Sequence, residues 1–285
     1  MANDVLVTGA TGFLGAHLVA RLRDSGSAVV AMSSAEGDVA DPRTWRNAVP
    51  SAAVVHLAGR SFVPDSWQDP AAFIRTNVVG TVHALEHCRK HSAPLVFLSS
   101  YLYGHPRTLP IPESAPTTAT NPYALSKLLA EQACRFYAEQ FGLSVTVLRV
   151  FNVYGPGQPD SFLIPSIVAQ IAARGEIVVQ DLTPKRDYVY VQDVVNAIER
   201  ALATGNGYRV LNIGSGMSCS VAELIELTQR IWASSLPVRS RELRRPQEIM
   251  DTVADITAAR ELLGWTPTYT LEQGLRQLHA SARVR

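Results

Sequence analysis

A short apolar run, Asp4-Val5-Leu6-Val7-Thr8, passes directly into Gly9-Ala10-Thr11-Gly12-Phe13-Leu14-Gly15 and then into a segment with Leu18, Val19 and Leu22 on one side. Strand, glycine loop and amphipathic helix, in that order, restrict the fold more than any other feature of this chain. Glycines permit the tight turn and let backbone N–H groups approach a diphosphate, whose charge a helix N-terminus favours. A glycine triplet alone is weak evidence. Its position directly after a first strand is the context that a dinucleotide-binding loop requires.

The first half continues the pattern. Apolar strands are expected at Val5 to Thr8, Ala28 to Met32, Ala53 to Leu57, Leu95 to Ser99 and Val145 to Val150. Helices fall between them, the longest at Ala71 to His91 and Pro122 to Phe141. Such alternation builds an α/β fold, a Rossmann doubly wound parallel sheet with helices on both faces. After Phe151 the pattern loosens into Tyr154-Gly155-Pro156-Gly157-Gln158-Pro159, followed by helices near Phe162 to Arg174, Val194 to Ala203 and Val221 to Trp232 and a strand at Val210 to Ile213. Residues 1–152 are therefore expected to form the NAD(P)-binding domain. Residues 153–285 form a smaller substrate lobe interleaved with it.

A chain of 285 residues with 47% hydrophobic content can bury a sizeable core. Its 26 basic and 25 acidic residues leave a net charge of +1, so no global field draws it to nucleic acid or a membrane surface. Any anionic ligand must be held by local arginines. Cys88, Cys134 and Cys219 are widely separated, without metal-ligand spacing, and read as reduced residues of a cytoplasmic protein. The apolar N-terminal run is only a strand long, and no stretch approaches the length of a membrane span.

The chemistry centres on Asn121-Pro122-Tyr123-Ala124-Leu125-Ser126-Lys127. Asn121 suits an N-cap and Pro122 the first helical position, which places Tyr123 and Lys127 on one face of the first turn. Leu125, Leu128, Leu129, Ala133 and Phe136 form an apolar stripe expected to pack, and Gly142 suits the helix stop. A phenol has a pKa of about 10, and bringing it to neutral pH takes about 4 kcal/mol of phenolate stabilisation. Lys127 is the available source of that charge. A third group should hold the substrate oxygen at the carboxyl end of Leu95-Val96-Phe97-Leu98-Ser99-Ser100, where ligands of open α/β sheets bind. Strand register favours Ser100, with Ser99 as the alternative.

These residues resemble the extended short-chain dehydrogenase/reductases that act on nucleotide-sugars. The resemblance covers nearly the whole chain. It rests on the glycine loop, His56-Leu57-Ala58-Gly59, Asn77-Val78-Val79-Gly80-Thr81, Ser99-Ser100, Tyr123 with Lys127, Arg149 to Gly157, Arg186-Asp187-Tyr188-Val189-Tyr190-Val191 and Leu263-Gly264-Trp265-Thr266-Pro267. It implies that Gly9, Thr11, Gly12, Phe13 and Leu14 meet the cofactor diphosphate and that Asp38 and Val39 lie by the adenine. Leu57, Ala58, Gly59, Asn77, Ser99 and Phe151 would line the rest of the cofactor, and Lys127 the nicotinamide ribose. Asn152 and the Ser61 to Val63 segment would contact the sugar nucleotide, and Arg186 and Arg245 its diphosphate. The resemblance also implies a homodimer built on the two long helices.

Three reactions share this scaffold. Dehydration requires carboxyl groups beside the strand-end hydroxyl, and Tyr101 and Leu102 cannot serve. Epimerisation at C4 requires tightly held NAD, usually gripped by an acidic residue after the second strand. Here Ser33 and Ser34 follow that strand, leaving room for a 2′-phosphate, which favours NADP(H) while NAD(H) stays open because Glu36 could reach the ribose. The segments His56 to Asp65, Asp69-Pro70 and Gly155 to Phe162 look like those of GDP-4-keto-6-deoxy-D-mannose reductases. The stretch from Ser100 to Gly104 is one residue shorter than in that group, which leaves base and hexose open. The expected function is NAD(P)H-dependent reduction of the C4 ketone of a nucleotide-activated 4-keto-6-deoxyhexose, with an NAD-dependent nucleotide-sugar 4-epimerase as the alternative. A non-catalytic sensor relative would lose the tyrosine and lysine that are present here.

Overall fold

The computed structural model describes residues 4–205, 207–243 and 248–282. The first half runs β1 (Val5–Thr8), α1 (Phe13–Asp24), β2 (Val29–Met32), α2 (Pro42–Arg46), β3 (Ala53–His56), α3 (Val63–Gln68), α4 (Pro70–Phe73), a π-helical stretch (Ile74–Val79), α5 (Gly80–His91), β4 (Leu95–Ser100), α6 (Pro122–Phe141) and β5 (Val145–Val150). The second half runs β6 (Asn152–Tyr154), α7 (Leu163–Ala172), β7 (Ile177–Val179), β8 (Lys185–Tyr190), α8 (Val191–Leu202), β9 (Tyr208–Ile213), β10 (Ser218–Ser220), α9 (Val221–Ile231), β11 (Val238–Ser240), α10 (Thr257–Leu263) and α11 (Leu271–Ala282).

Six parallel strands form the large sheet in the order β2-β1-β3-β4-β5-β9. The chain leaves β1 toward β2 on one side and returns to β3 on the other, so the strand order reverses there and opens a crevice at the carboxyl ends. All four residues of β1 and of β3 are buried, as expected for central strands covered on both faces. Val5, Val7, Val55, Val96 and Leu148 share one core with Leu14 and Leu18 of α1 and Val194 and Ile198 of α8. Leu6, Val54, Leu95, Phe97 and Val147 face the other way, against Leu85 and Cys88 of α5 and Ala130 and Cys134 of α6. The second half thus supplies both an edge strand and a covering helix to the large sheet. Its own small sheets are β10-β8-β6 and β11-β7.

The long helix α6 is oriented differently from the sequence expectation. Its buried residues are Ala124, Ser126, Lys127, Ala130, Glu131 and Cys134, while Leu125 and Phe136 of the apolar stripe are 44% and 55% exposed. Small side chains let the helix lie close to the sheet, and that face is the one that carries Tyr123 and Lys127 inward. Leu125 and Phe136 therefore look outward from the single chain, while Leu128, Leu129 and Ala133 are half-buried. The helix expected from Ala71 to His91 is a helical run interrupted by the π-helical stretch, which holds Asn77.

One buried ion pair ties α6 to β5. Arg149 donates from Nη2 to Glu131 at 2.7 Å, from Nη1 to the Tyr103 hydroxyl at 3.1 Å and from Nη1 to the Glu113 carbonyl at 3.3 Å. Tyr103 in turn donates to Asn212 of β9 at 2.5 Å. Both charged side chains are under one-tenth exposed, so removal of one leaves the other uncompensated. Arg149→Leu should lower the unfolding free energy by about 3–5 kcal/mol in urea titration, and Arg149→Leu with Glu131→Leu should recover most of that loss.

Candidate active site

The crevice begins at the glycine loop. Gly9 has φ +68, and a Cβ there would stand 2.8 Å from the Ala58 backbone nitrogen. A Cβ on Gly15 would fall 2.1 Å from the Gly9 carbonyl oxygen. Only backbone fits between the loop, the start of α1 and the segment after β3. Gly12 is the N-cap of α1 and no side chain caps it, so the first-turn N–H groups beside the exposed Thr11 and Gly12 face an open crevice. Phe13 is half-buried and Leu14 buried behind them. A loop of bare backbone at an uncapped helix N-terminus suits a dinucleotide diphosphate.

Behind this loop, the Thr8 hydroxyl bonds His56 Nδ1 at 2.7 Å and accepts the Ala58 N–H at 3.2 Å, which holds Leu57 and Ala58 against β1. Burial keeps His56 neutral, pushing its pKa down to about 3. Asn77 brackets Arg60, accepting its N–H at 2.8 Å and donating to its carbonyl at 3.0 Å, and donates to Ser126 at 2.8 Å. Asn77 therefore shapes the wall at Gly59 from behind, with both amide hydrogens already used inside the protein. Trp45 donates to the Val39 carbonyl at 2.8 Å, and the Asp38 carboxylate accepts the Ala40 N–H at 2.9 Å. In the turn after β2 the Glu36 carboxylate accepts both the Ser33 N–H at 2.6 Å and the Ser33 hydroxyl at 2.7 Å. Ser34 is exposed.

At the carboxyl end of β4 the candidate catalytic side chains converge. Asn121 caps α6 through the Ala124 N–H at 2.8 Å, with Pro122 in the first turn. This sets Tyr123 edge-on to the Phe73 ring, at 6.3 Å, and beside the Ser100 side chain. Ser99, on the opposite face of the strand, is buried with its hydroxyl unpartnered. Lys127, 7% exposed, donates to the Leu98 carbonyl at 2.8 Å and lies 4.9 Å from the centre of the Phe97 ring. Burial pushes the Tyr123 phenol up to about 12, opposed by the Ser100 hydrogen bond. It also pushes the Lys127 ammonium down to about 8, opposed by the nearby Glu131. The expected lowering of the phenol by Lys127 is therefore absent from the protein alone: the ammonium is engaged with Leu98, and desolvation of the phenol dominates.

On the far side of the crevice, Asn152 donates to the Asp187 carbonyl at 3.2 Å and accepts from the Tyr101 hydroxyl at 3.2 Å. Tyr101 stacks on buried Phe151 with ring centres 5.0 Å apart. Arg186 donates from Nη1 to the Lys185 and Ile249 carbonyls, each at 2.7 Å, and from Nη2 to the Glu248 carboxylate. Asp187, fully buried, accepts N–H groups of Ser215, Gly216 and Ala254 and so ties two further segments to the strand that carries Arg186. Ser61 is exposed and Val63 half-buried at the start of α3. Arg245 lies outside the described residues. Sequence reasoning missed Tyr101 as a partner of Asn152 and Glu248 as the partner of Arg186. The first could have been read from the residue after Ser100; nothing local signals the second.

A profile of the NAD dependent epimerase/dehydratase family matches residues 5–214. The chain belongs to that family. It is 35% identical to the GDP-6-deoxy-D-mannose reductase of Pseudomonas aeruginosa, with 100% of this chain and 99% of the relative aligned. A UDP-glucose 4-epimerase of Halalkalibacterium halodurans is 30% identical over 93% of this chain and 91% of its own length. Among solved structures, RMD from Pseudomonas aeruginosa complexed with NADPH superposes with a TM-score of 0.92 at 33% identity, covering both chains fully. UDP-glucose 4-epimerase with UDP-glucose from Thermotoga maritima gives 0.91 at 28% identity, covering 99% of each chain.

The lowered pKa of Lys127 has a measurable sign. Between about 8 and its ordinary 10.5 the unfolded chain keeps this proton and the folded one has lost it, so the contribution of Lys127 to stability rises with pH in that window. Unfolding free energies of the wild type and Lys127→Met, measured from pH 7 to 10.5, should diverge in favour of the wild type by up to about 3 kcal/mol.

Proposed function

We propose that the protein is an NADPH-dependent reductase, able to use NADH, that converts the C4 ketone of a nucleotide-linked 4-keto-6-deoxyhexose to an alcohol. The observation that carries this reading is the placement of Tyr123, in the first turn of α6, beside Ser100 and next to the buried Lys127, which is anchored on Leu98 of β4. Similarity to the GDP-6-deoxy-D-mannose reductase over the full length of both chains supports it.

A bound reduced nicotinamide supplies the hydride. Gly9, Thr11, Gly12, Phe13 and Leu14 would hold the diphosphate of that cofactor, and Lys127 its ribose, from an ammonium already anchored on Leu98. Ser100 donates a hydrogen bond to the substrate carbonyl oxygen, and Tyr123 delivers the proton to the alkoxide that forms there. Burial opposes ionisation of Tyr123, so it enters this reaction as the protonated phenol, and an alkoxide is basic enough to take that proton. Asn152 would bind the sugar nucleotide, with its amide oriented by Tyr101. Arg186, together with Arg245, would hold the substrate diphosphate in exchange for Glu248.

The outward stripe of α6, with exposed Leu125, Phe136 and Phe141, supports a homodimer through α5 and α6. No described helix is long and apolar enough to cross a membrane, and the three free cysteines suit a reducing cytoplasm.

Purified protein given NADPH and a 4-keto-6-deoxy sugar nucleotide should oxidise the cofactor, and denatured protein should release no stoichiometric NAD. Release of one NAD per chain without NADPH consumption would favour the epimerase. Tyr123→Phe should lower kcat by about 10²–10⁴-fold while leaving NADPH affinity within about twofold. Leu125→Glu with Phe136→Glu should halve the mass measured by light scattering, if the wild type elutes as a dimer as proposed.

A further inference from the structure

Lys127 carries a charge into a place that offers it little. It is 7% exposed, and among the described residues its one hydrogen-bond acceptor is the neutral carbonyl of Leu98, at 2.8 Å. The Phe97 ring beside it adds the weak attraction of an aromatic face. A buried ammonium with no anion near it tends to give up its proton.

Glu131 stands four residues further along α6, so the two side chains are neighbours on one helix face, and both are buried there. Arg149 of β5 holds the carboxylate from the other side, with Nε 3.1 Å from Oε1 and 3.2 Å from Oε2, and Nη2 2.7 Å from Oε2. The guanidinium is itself fixed by the Tyr103 hydroxyl and the Glu113 carbonyl. The pair is therefore an oriented dipole, its negative end on the helix of Lys127 and its positive end on the sheet. The other groups around the ammonium bring no anion. Burial keeps His56 neutral, Cys134 of α6 and Cys88 of α5 as thiols, and Tyr123 as a phenol, while Asn77, which meets Gly59 beside Lys127, is uncharged.

We propose that Glu131 is a positioning residue of the reaction: oriented by Arg149, its carboxylate keeps Lys127 an ammonium, so that Lys127 can hold the Leu98 carbonyl and the cofactor ribose together. An ammonium has three N–H donors, whereas an amine has two and a lone pair that would face the same oxygens. Glu131 acts through Lys127, its own oxygens being committed to Arg149. This rests on the cofactor part of the proposed function and is independent of which sugar is reduced.

Two measurements on the full-length protein test this, the first without any ligand. Unfolding free energies are compared from about pH 6 to 10.5 between proteins with Lys127 and with Lys127→Met, in the wild-type, Glu131→Gln, Arg149→Leu and Arg149→Leu with Glu131→Leu backgrounds. The pH at which each comparison begins to diverge reports where the folded protein loses the Lys127 proton, about 8 in the wild type. That onset should fall by about one in Glu131→Gln and rise in Arg149→Leu, where Glu131 is left unshared. It should also fall in the double variant, although that variant regains its stability. A merely structural ion pair would give the two single variants the same onset and return the double variant to the wild-type one. The second measurement is the dissociation constant of NADPH over the same range, and the pH above which affinity declines should move with the onset in each background. An onset unchanged in Glu131→Gln and in the double variant overturns the proposal. So does an onset that moves while NADPH binding stays as in the wild type. Wild-type protein that binds no NADPH at any pH would instead refute the cofactor reading, a separate failure that the ligand-free measurement does not share.

Discussion

Lys127 donates from its ammonium to the carbonyl of Leu98, and the placement of Tyr123 beside Ser100 depends on that bond. It draws the first turns of α6 down onto the end of β4, which carries Tyr123 to Ser100 two residues beyond Leu98. A charged group is costly in such a place, and its depressed pKa records the cost. The face of α6 around it has accordingly given up large apolar side chains for Ala124, Ser126 and Ala130, which let the helix approach. Glu131, one turn on, brings a compensating charge that Arg149 shares. Positioning of the reactive pair and packing of the longest helix are one arrangement.

The same economy appears on the substrate side. Asp187 is buried and surrounded by N–H donors from Ser215, Gly216 and Ala254, so a single carboxylate organises loops from two parts of the second half. Its neighbour Arg186 is held by two carbonyls and the Glu248 carboxylate. Glu248 thus neutralises a guanidinium that is only about one-sixth exposed.

Much of this was legible in residue order. The five strands β1 to β5 begin and end within a residue or so of their expected limits because parallel strands of such a sheet are continuous apolar runs bounded by turns. The glycine loop and the Asn121-Pro122 start of α6 were legible because each is a local stereochemical requirement. The orientation of α6 was not. Its apolar stripe suggests a packing face, yet the helix packs through small residues and a buried ion pair whose partner, Arg149, is distant in sequence. The short strands β6, β7, β10 and β11 were missed because three residues hold no periodicity. The raised pKa of Tyr123 was not legible either, since desolvation is a property of the assembled site.

The pairing of β9 with β5 has a consequence for the order in which the chain acquires its shape. From Val150 to Ile213 there are about 60 residues, and until the last of them leaves the ribosome β5 has no outer neighbour. At about 5–20 residues per second, the nascent first half carries an unpaired strand edge, every residue of which is buried in the finished fold, for roughly 3–12 s. During that interval the strand is a template for any other extended segment, and α8, which covers the same sheet, arrives only just before β9. The interleaving that gives the finished molecule a continuous core therefore makes its birth dependent on protection, and a ribosome that stalls between these two strands would release a sticky half-sheet.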